Sequence, residues 1–544
     1  MKKFLAIFLV AVTVLSLCAC GKGKQDVSGG MTADGKVLLS IGLPASATVI
    51  DHKNNALTKW IEEECNVQLK FVEYSGGTDI ATQITTTIAA RQELPDMLLG
   101  MSLGSDVMYQ YGNEGYFVNL KDYFADKEGA SKYFWDRLNT ETDEATQRLV
   151  IGTMTEPETG NIYAVPTLEV STFDRQYFQV YINTVWLDKL NLEMPTDMDS
   201  LYKVLKAFKT GDPNGNGQPD EIPLFGSQNG GMCSRVLEWL INMFMYFNND
   251  RAYTVGADGK LTASYTEDAY REALKFINKL YKEELLTSLV WTASKPEATT
   301  IMTPASGTAM CGIMLCHPSS QPQKGNNVLF EYEPLPYWGC VVRDDHPVSL
   351  SAFITEDCDN PDKAFEVMMK LWSREGAMRM RYGEYGVNWT DATPGAISAV
   401  GLECSYKLIQ DPLGRQNTCM WSTMSPTFNM YAEAEDAELS ENMSEWDKGR
   451  YKLLADHAKL FEEAEKNNNP ETVCPKLYYT TQETNEILQT RLNVNDYWRE
   501  CQTDFILGKL NPDSDADWNA YLAKLKELGV ESVLEYAQRA YDRG

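Results

Sequence analysis

From residue 37 onward the chain switches repeatedly between two hydrophobic periods. Residues 37–43 read as a short, mostly apolar strand, and the loop after it ends in Asp51-His52-Lys53-Asn54-Asn55. Leu57, Trp60 and Ile61 then recur at helical spacing, and residues 67–72 read again as a strand. The rhythm repeats: residues 80–90 carry a helical period, Leu94-Pro95-Asp96 breaks it, and Met97-Leu98-Leu99 is a short apolar strand. Alternation of this kind predicts an α/β sheet with helices on both faces.

Later periods are mostly helical. Asn183 opens a helix running to Leu190, and residues 199–209 form an amphipathic helix that ends at Gly211. Long helical patterns occupy 233–247, 266–284, 361–375, 447–467, 480–507 and 514–542, which makes the C-terminal part helix-rich. No fixed-period repeat of the solenoid kind is present.

Composition narrows the class of partner. The 544 residues are 43% hydrophobic with 37 Gly and 22 Pro, as expected of a globular chain that buries a large core. Against 49 Lys and Arg stand 77 Asp and Glu, a net charge of −28 that repels phosphate backbones and anionic head groups, so nucleic acid is not an expected partner.

The N-terminus predicts export. Lys2 and Lys3 precede an apolar run over 4–17 that is too short to span a bilayer comfortably, followed by Leu17-Cys18-Ala19-Cys20. This end resembles the lipobox of bacterial lipoproteins, in which cleavage before the cysteine leaves a lipidated N-terminus. Residues 1–19 are thus read as signal peptide, Cys20 as the lipid anchor, and 20–36 as a polar tether. The other ten cysteines contain no CxxC pair or zinc-ligand spacing, and most are read as small buried hydrophobes; Cys311 and Cys316 are assigned to a buried strand.

One local motif carries metal chemistry. In Asp212-Pro213-Asn214-Gly215-Asn216-Gly217-Gln218-Pro219-Asp220-Glu221, oxygen side chains at positions 1, 3, 5 and 9 and Gly at position 6 suit a hard cation wrapped by a short loop. Pro223 stands where an EF-hand has its bidentate Glu, so Glu221 is expected to supply that carboxylate. Asp212, Asn214, Asn216, Asp220 and Glu221, with the Gln218 carbonyl, are the expected calcium ligands, and the ion is expected to be structural.

Catalytic motifs are weaker. Gly100-Met101-Ser102-Leu103-Gly104 matches a nucleophile-elbow pattern after a strand, but the downstream histidines fit it poorly: His317 and His346 each precede a proline, and His457 lies in a charged helix. Carboxylate pairs for glycoside hydrolysis remain open on sequence alone. Aromatic content is what a sugar site would need, because sugar C–H faces lie well on flat rings while hydroxyls bond to polar neighbours, though packing of each loop tryptophan against its own loop is the equal alternative. Trp291, Trp338, Trp389 and Trp421 fall outside strong helical patterns and are the candidate stacking rings, whereas Trp60, Trp186, Trp239, Trp372, Trp446 and Trp498 lie at helical core positions.

Several further segments fall in line along the chain: Leu94-Pro95-Asp96, Gly115-Tyr116-Phe117-Val118-Asn119-Leu120, Gly160-Asn161-Ile162-Tyr163-Ala164-Val165-Pro166, Tyr181-Ile182-Asn183 and Trp186-Leu187-Asp188-Lys189-Leu190. Together with Ala207-Phe208-Lys209, the Cys20 lipobox and the 212–221 loop, they make the whole chain resemble the extracellular solute-binding proteins of bacterial carbohydrate ABC importers, including alginate-binding proteins that carry a similar calcium loop. Departures fall at Asn183 and Val185, where similar proteins commonly carry Arg and Asp, and at Gly383-Glu384-Tyr385-Gly386, where they carry Gly-Glu-Gly.

The resemblance implies a two-lobe α/β fold of the periplasmic-binding-protein type, with hinge segments, an interlobe ligand cleft and delivery to permease subunits. The first lobe is expected over 37–165 plus about 300–355, and the second over 166–299 plus about 356–544. Expected ligand contacts are Trp338, Trp389, Trp291, Trp421, Ser102, Asp174 and Tyr177. The implied protein is a non-enzymatic, lipid-anchored monomer on the outer face of the cell membrane that captures an oligosaccharide. A surface hydrolase using Ser102 or a carboxylate pair, and a peptide-binding protein of the same fold, are the competing readings.

Overall fold

The computed structural model describes residues 30–543 apart from 76–79, 170–175, 177, 229–234, 317–326, 344–347, 413–414, 422–425, 429–434, 467, 469–471, 476 and 478. The chain divides into two units. The first comprises Met1–Pro166, Leu350–Gly376 and Cys419–Pro426, and the second Thr167–Ser349, Ala377–Thr418 and Thr427–Gly544.

The first unit is built on a mixed sheet. Val37–Pro44 lies parallel to Val67–Tyr74 on one side and to Met97–Leu99 on the other, as the strand–helix alternation predicts. Val348–Ile354 then joins antiparallel, pairing Ala352 with Leu99 and Ile354 with Met97. The intervening helices Ala56–Glu64 and Ile80–Ala89 match their predicted positions. Leu57 and Ile61 of the former and Ile84 and Ile88 of the latter are buried, a spacing that puts each pair on one helix face. Asp96 ties the sheet together: its Oδ2 accepts from the Ser40 N–H and hydroxyl, both at 2.6 Å.

The lobe division expected from sequence is corrected on the return segments. Cys311–Leu315 does not join the first unit; it pairs antiparallel with Val180–Asn183 and parallel with Ile222–Phe225 in the second. What returns to the first unit is 350–376 and 419–426. Helix Pro361–Trp372 buries Trp372 against Phe134, with ring centroids 4.6 Å apart, and the Trp372 indole N–H donates to the Pro166 carbonyl at 2.6 Å. Strand pairing and one buried tryptophan therefore decide membership, and neither is visible in a hydrophobic period.

The second unit has a four-stranded sheet in the order Tyr332–Pro334, Val180–Asn183, Cys311–Leu315, Ile222–Phe225. Gly312 has a packing reason: a Cβ there would sit 2.1 Å from Phe208 of helix Met198–Thr210, so only glycine lets that helix close on the strand. Helices Asp268–Lys282, Thr481–Leu507, Asp515–Glu527 and Val530–Arg543 complete the helix-rich C-terminal part. The single helical pattern expected over 514–542 is two helices, because Gly529 takes φ +95° and turns the chain between them. A smaller sheet joins Trp389–Asp391, Tyr406–Leu408 and Ala437–Leu439. The six helical tryptophans are all buried, and of the nine described cysteines beyond the N-terminus all but the half-buried Cys340 are buried, with Cys311 and Cys316 in the buried strand region as expected. Among the described residues no helix is long and apolar enough to cross a membrane.

Candidate functional site

The 212–221 loop joins helix Met198–Thr210 to strand Ile222–Phe225. Left-handed backbone at Asp212, Gly215 and Gly217 coils it tightly. Each polar side chain closes a local turn: Asp212 Oδ2 accepts from the Gly217 N–H at 3.1 Å, Asn214 Oδ1 from Asn216 N–H at 2.9 Å, and Asn216 Oδ1 from Gln218 N–H at 2.7 Å. The Asn214 and Asn216 amides both donate to Asp220 at 3.0 Å, and Lys189 Nζ donates to the Pro213 carbonyl at 2.7 Å.

Glu221 is the unsatisfied member of this loop. Its Oε1 is buried without a hydrogen-bond partner, and burial, reinforced by the Asp220 and Asp212 charges, pushes its carboxyl above the usual carboxylate range. An acidic, oxygen-only donor set with one orphaned buried oxygen fits a hard cation. Among the described residues no three acidic, imidazole or thiol groups converge as a metal cluster, and Asp220 takes hydrogen bonds from the two asparagine amides. Asp212, Asn214, Asn216, Asp220 and Glu221, with the Gln218 carbonyl, are the residues that would hold calcium.

The four candidate rings fare differently. Trp338 is half-buried against the second unit's core, and its Nε1 is buried without a partner beside Trp239, Met243 and Cys340. The neighbouring Tyr337 hydroxyl reaches the Phe178 carbonyl at 3.0 Å and His457 Nε2 at 2.7 Å. Trp291 is also half-buried and meets Tyr281 edge-on at 5.4 Å. Tyr281, Glu221, Lys282, Thr287 and Ser288 line an open groove next to the 212–221 loop.

Trp389 corrects the expectation of an open loop ring. It begins strand Trp389–Asp391 at 7% exposure, and its indole N–H donates to the Gly383 carbonyl at 2.9 Å, so it is a core residue of the small sheet. Tyr385 stands edge-on to it at 4.9 Å and is 42% exposed.

Trp421 corrects the same expectation: it is fully buried in the first unit, edge-on to Phe71 at 5.2 Å, and its Nε1 has no partner, so it is a core ring and offers no face for stacking. Phe71 in turn meets His52 at 5.1 Å. His52 Nδ1 lies 3.0 Å from Glu73 Oε1, while its buried Nε2 is unpartnered. Burial lowers the His52 pKa against the opposing pull of Glu73, which favours the neutral ring with its proton on Nδ1. His52 was legible only as part of a polar loop; no spacing connects it with residues 71 and 421.

Ser102 is exposed just before helix Ser105–Asn113, on the strand-to-helix turn expected for it, with Gly100 at φ +70°. His457 is committed elsewhere: its Nε2 accepts from the Val180 N–H at 3.2 Å, and its Nδ1 faces Gln176 Oε1. Cys20, Asp174, Tyr177, His317 and His346 lie outside the described residues.

No protein-family model matches the chain. It is 23% identical over 590 residues to the fructooligosaccharide ABC transporter substrate-binding protein FusA of Streptococcus pneumoniae, covering 98% of this chain and 97% of FusA. It is 38% identical over 109 residues to lipoprotein LipO of Bacillus subtilis, covering 19% of this chain and 20% of LipO. Among solved structures it is similar to an extracellular solute-binding protein of Bifidobacterium longum subsp. infantis, with a TM-score of 0.70 at 21% identity over 94% of this chain and 99% of the other. A Streptococcus pneumoniae FusA EF-hand mutant in complex with fructo-nystose gives 0.68 at 20% identity over 93% and 99%. Alginate-binding protein AlgQ2 without calcium ion gives 0.61 at 20% identity over 93% and 98%. These relatives are substrate-binding proteins of the kind the sequence resembles, and the chain has the fold of the extracellular solute-binding proteins.

Proposed function

We propose that this chain captures an oligosaccharide on the outer face of the cell membrane and hands it intact to the permease subunits of an ABC importer. The match to FusA along nearly the whole of both chains is the observation that carries this reading. The solute-binding fold supports it, as do half-buried rings, Trp338 and Trp291, of the type that stacks on sugar faces. In this reading Trp338 and Trp291, with Ser102, Asp174 and Tyr177, supply sugar contacts, while Trp389 and Trp421 are core residues. The chain works as a monomer and without nucleic acid. Cys20 carries the lipid anchor, a reading that the lipoprotein LipO supports. The 212–221 loop holds a structural calcium ion, supported by the orphaned Glu221 oxygen and by the EF-hand of FusA.

The test is calorimetric titration of protein lacking residues 1–20 against a panel of oligosaccharides. Binding of one sugar class is expected, with the sugar recovered unchanged after prolonged incubation. New reducing ends that disappear in Ser102→Ala would replace capture with hydrolysis. Cys20→Ala is expected to move the protein out of the membrane fraction, since stable anchoring needs two acyl signals.

A further inference from the structure

The loop between helix Arg374–Tyr382 and strand Trp389–Asp391 holds an aromatic ring in place while leaving it in water. Tyr385 is 42% exposed and its neighbour Val387 is 56% exposed, whereas Tyr382 and Trp389 on either side are buried. An exposed tyrosine is normally free to change rotamer. This one is braced at both ends. Its hydroxyl donates to Asp391 Oδ2 at 2.9 Å, and its ring stands edge-on to Trp389 at 4.9 Å with an interplanar angle of 79°.

The backbone beneath it is equally constrained. Gly386 N–H donates to the Trp389 carbonyl at 2.7 Å, Asn388 Oδ1 accepts from the Glu384 N–H at 2.9 Å, and the Trp389 indole ties back to Gly383 at 2.9 Å. Arg415 Nη2 donates to the Tyr382 carbonyl at 2.6 Å. Ordering a tyrosine costs side-chain entropy, and this loop has already met that cost before any ligand arrives.

The geometry points to Tyr385 as a stacking platform for a neutral sugar ring, a role for which Trp389 is too buried and in which Trp389 serves as the platform's base. This assignment rests on the capture reading above and deepens it. A ring fixed upright with solvent on it offers the flat apolar surface that sugar C–H groups need. Exposed carboxylates at Glu384 and Asp391 flank it and accept bonds from hydroxyls. The same two charges oppose a uronate, so the ring class is neutral.

The test uses the purified chain and a panel of neutral fructo-, malto-, xylo- and galacto-oligosaccharides of about three to five residues, with trigalacturonate as the acidic control. For a neutral sugar that the parent binds, Tyr385→Ala is expected to weaken affinity roughly threefold to tenfold with an unchanged melting temperature. Tyr385→Phe should retain most of the affinity, because the stacking face survives the loss of the hydroxyl. On the parent chain, the same sugar at saturation should slow nitration of Tyr385 by tetranitromethane, read by peptide mapping. A parent that binds a neutral sugar while Tyr385→Ala binds it equally well, with nitration unprotected, overturns the platform and leaves capture standing. Dependence on Tyr385 confined to trigalacturonate overturns it too. A parent that binds nothing in the panel overturns both readings.

Discussion

The 212–221 loop and the His52–Phe71–Trp421 ladder are assembled in opposite ways. The side-chain hydrogen bonds among the loop's own residues join positions at most six apart, the Lys189 contact to the Pro213 carbonyl reaches in from elsewhere, and most of the loop's residues face water. The ladder brings together residues from three distant segments, two of its rings are almost completely buried, and it contains two polar atoms with nothing to bond. Local construction makes the loop separable: an ion bound there would add its contribution without rearranging the rest of the unit. Distant construction makes the ladder part of the first unit's core, so it cannot be altered without disturbing the sheet that carries Phe71.

The largest expected effect breaks the ladder. Trp421→Ala removes a ring of zero exposure and should cost about 3 to 5 kcal/mol, the range for aromatic truncation in a core. Differential scanning calorimetry should show an early transition assigned to the first unit, with the second unit's transition in place. Trp421→Phe sharpens the comparison, since it keeps most of the volume and deletes an indole N–H that has no partner. A much smaller loss than for alanine is expected. Equal losses from the two variants would mean that the indole N–H is bonded in solution and the ladder is satisfied.

Next comes the loop. If calcium binds with a free concentration about 100-fold above its dissociation constant, it contributes about 2.7 kcal/mol, and a chelator should lower the melting temperature accordingly. Asp212→Ala/Asp220→Ala should remove the chelator's effect. A metal-stripped parent that melts like the untreated one would show that the Asx turns hold the loop without an ion.

Legibility in the sequence followed the same division. The loop's ten residues state their own geometry through spacing, and helix Met198–Thr210 was legible from its amphipathic period and from Gly211 at its end, while the structure adds the Asp197–Ser200 capping box at its start. The ladder has no such signature, because His52, Phe71 and Trp421 meet only once the sheet and the 419–426 return are in place. The lobe expectation of about 300–355 departs from the structure over 300–349 for that reason: an apolar strand reads the same whichever sheet it enters. Trp389 looked like a loop ring because it falls outside a strong helical pattern, after Gly383 and Gly386, yet those glycines let the chain fold back so that its indole reaches a carbonyl six residues earlier. Trp389→Phe should therefore cost about 1 kcal/mol of stability through that lost bond, measured by denaturant titration. No stability change would return Trp389 to the exposed rings.

The smallest expected effect combines both kinds of construction at one residue. Glu483 closes a local capping box with Thr480 at the start of helix Thr481–Leu507, and it also takes a double hydrogen bond from Arg543, sixty residues on, at 2.7 and 2.6 Å. The capping half is local, with Thr480 and Glu483 three positions apart at the start of the helix expected over 480–507; the Arg543 half depends on how the last helix packs. Hydrogen bonds from Arg543 first, and from the Thr480 backbone, hold the Glu483 carboxyl down to about 2. Because the folded value lies below the unfolded one, near about 4.3, the unfolded chain binds more protons in that interval. The stabilisation is thus fully present above the ordinary glutamate range and is lost as pH falls through it toward about 2. Arg543 is 43% exposed, so water screens the pair and its share of the acid limb stays modest. Glu483→Gln should lower the melting temperature slightly at pH 7, match the parent near pH 2 and flatten the slope between. A variant whose melting curve parallels the parent's across that interval would show that Arg543 contributes nothing in solution, leaving the local capping box as the only working half of the contact.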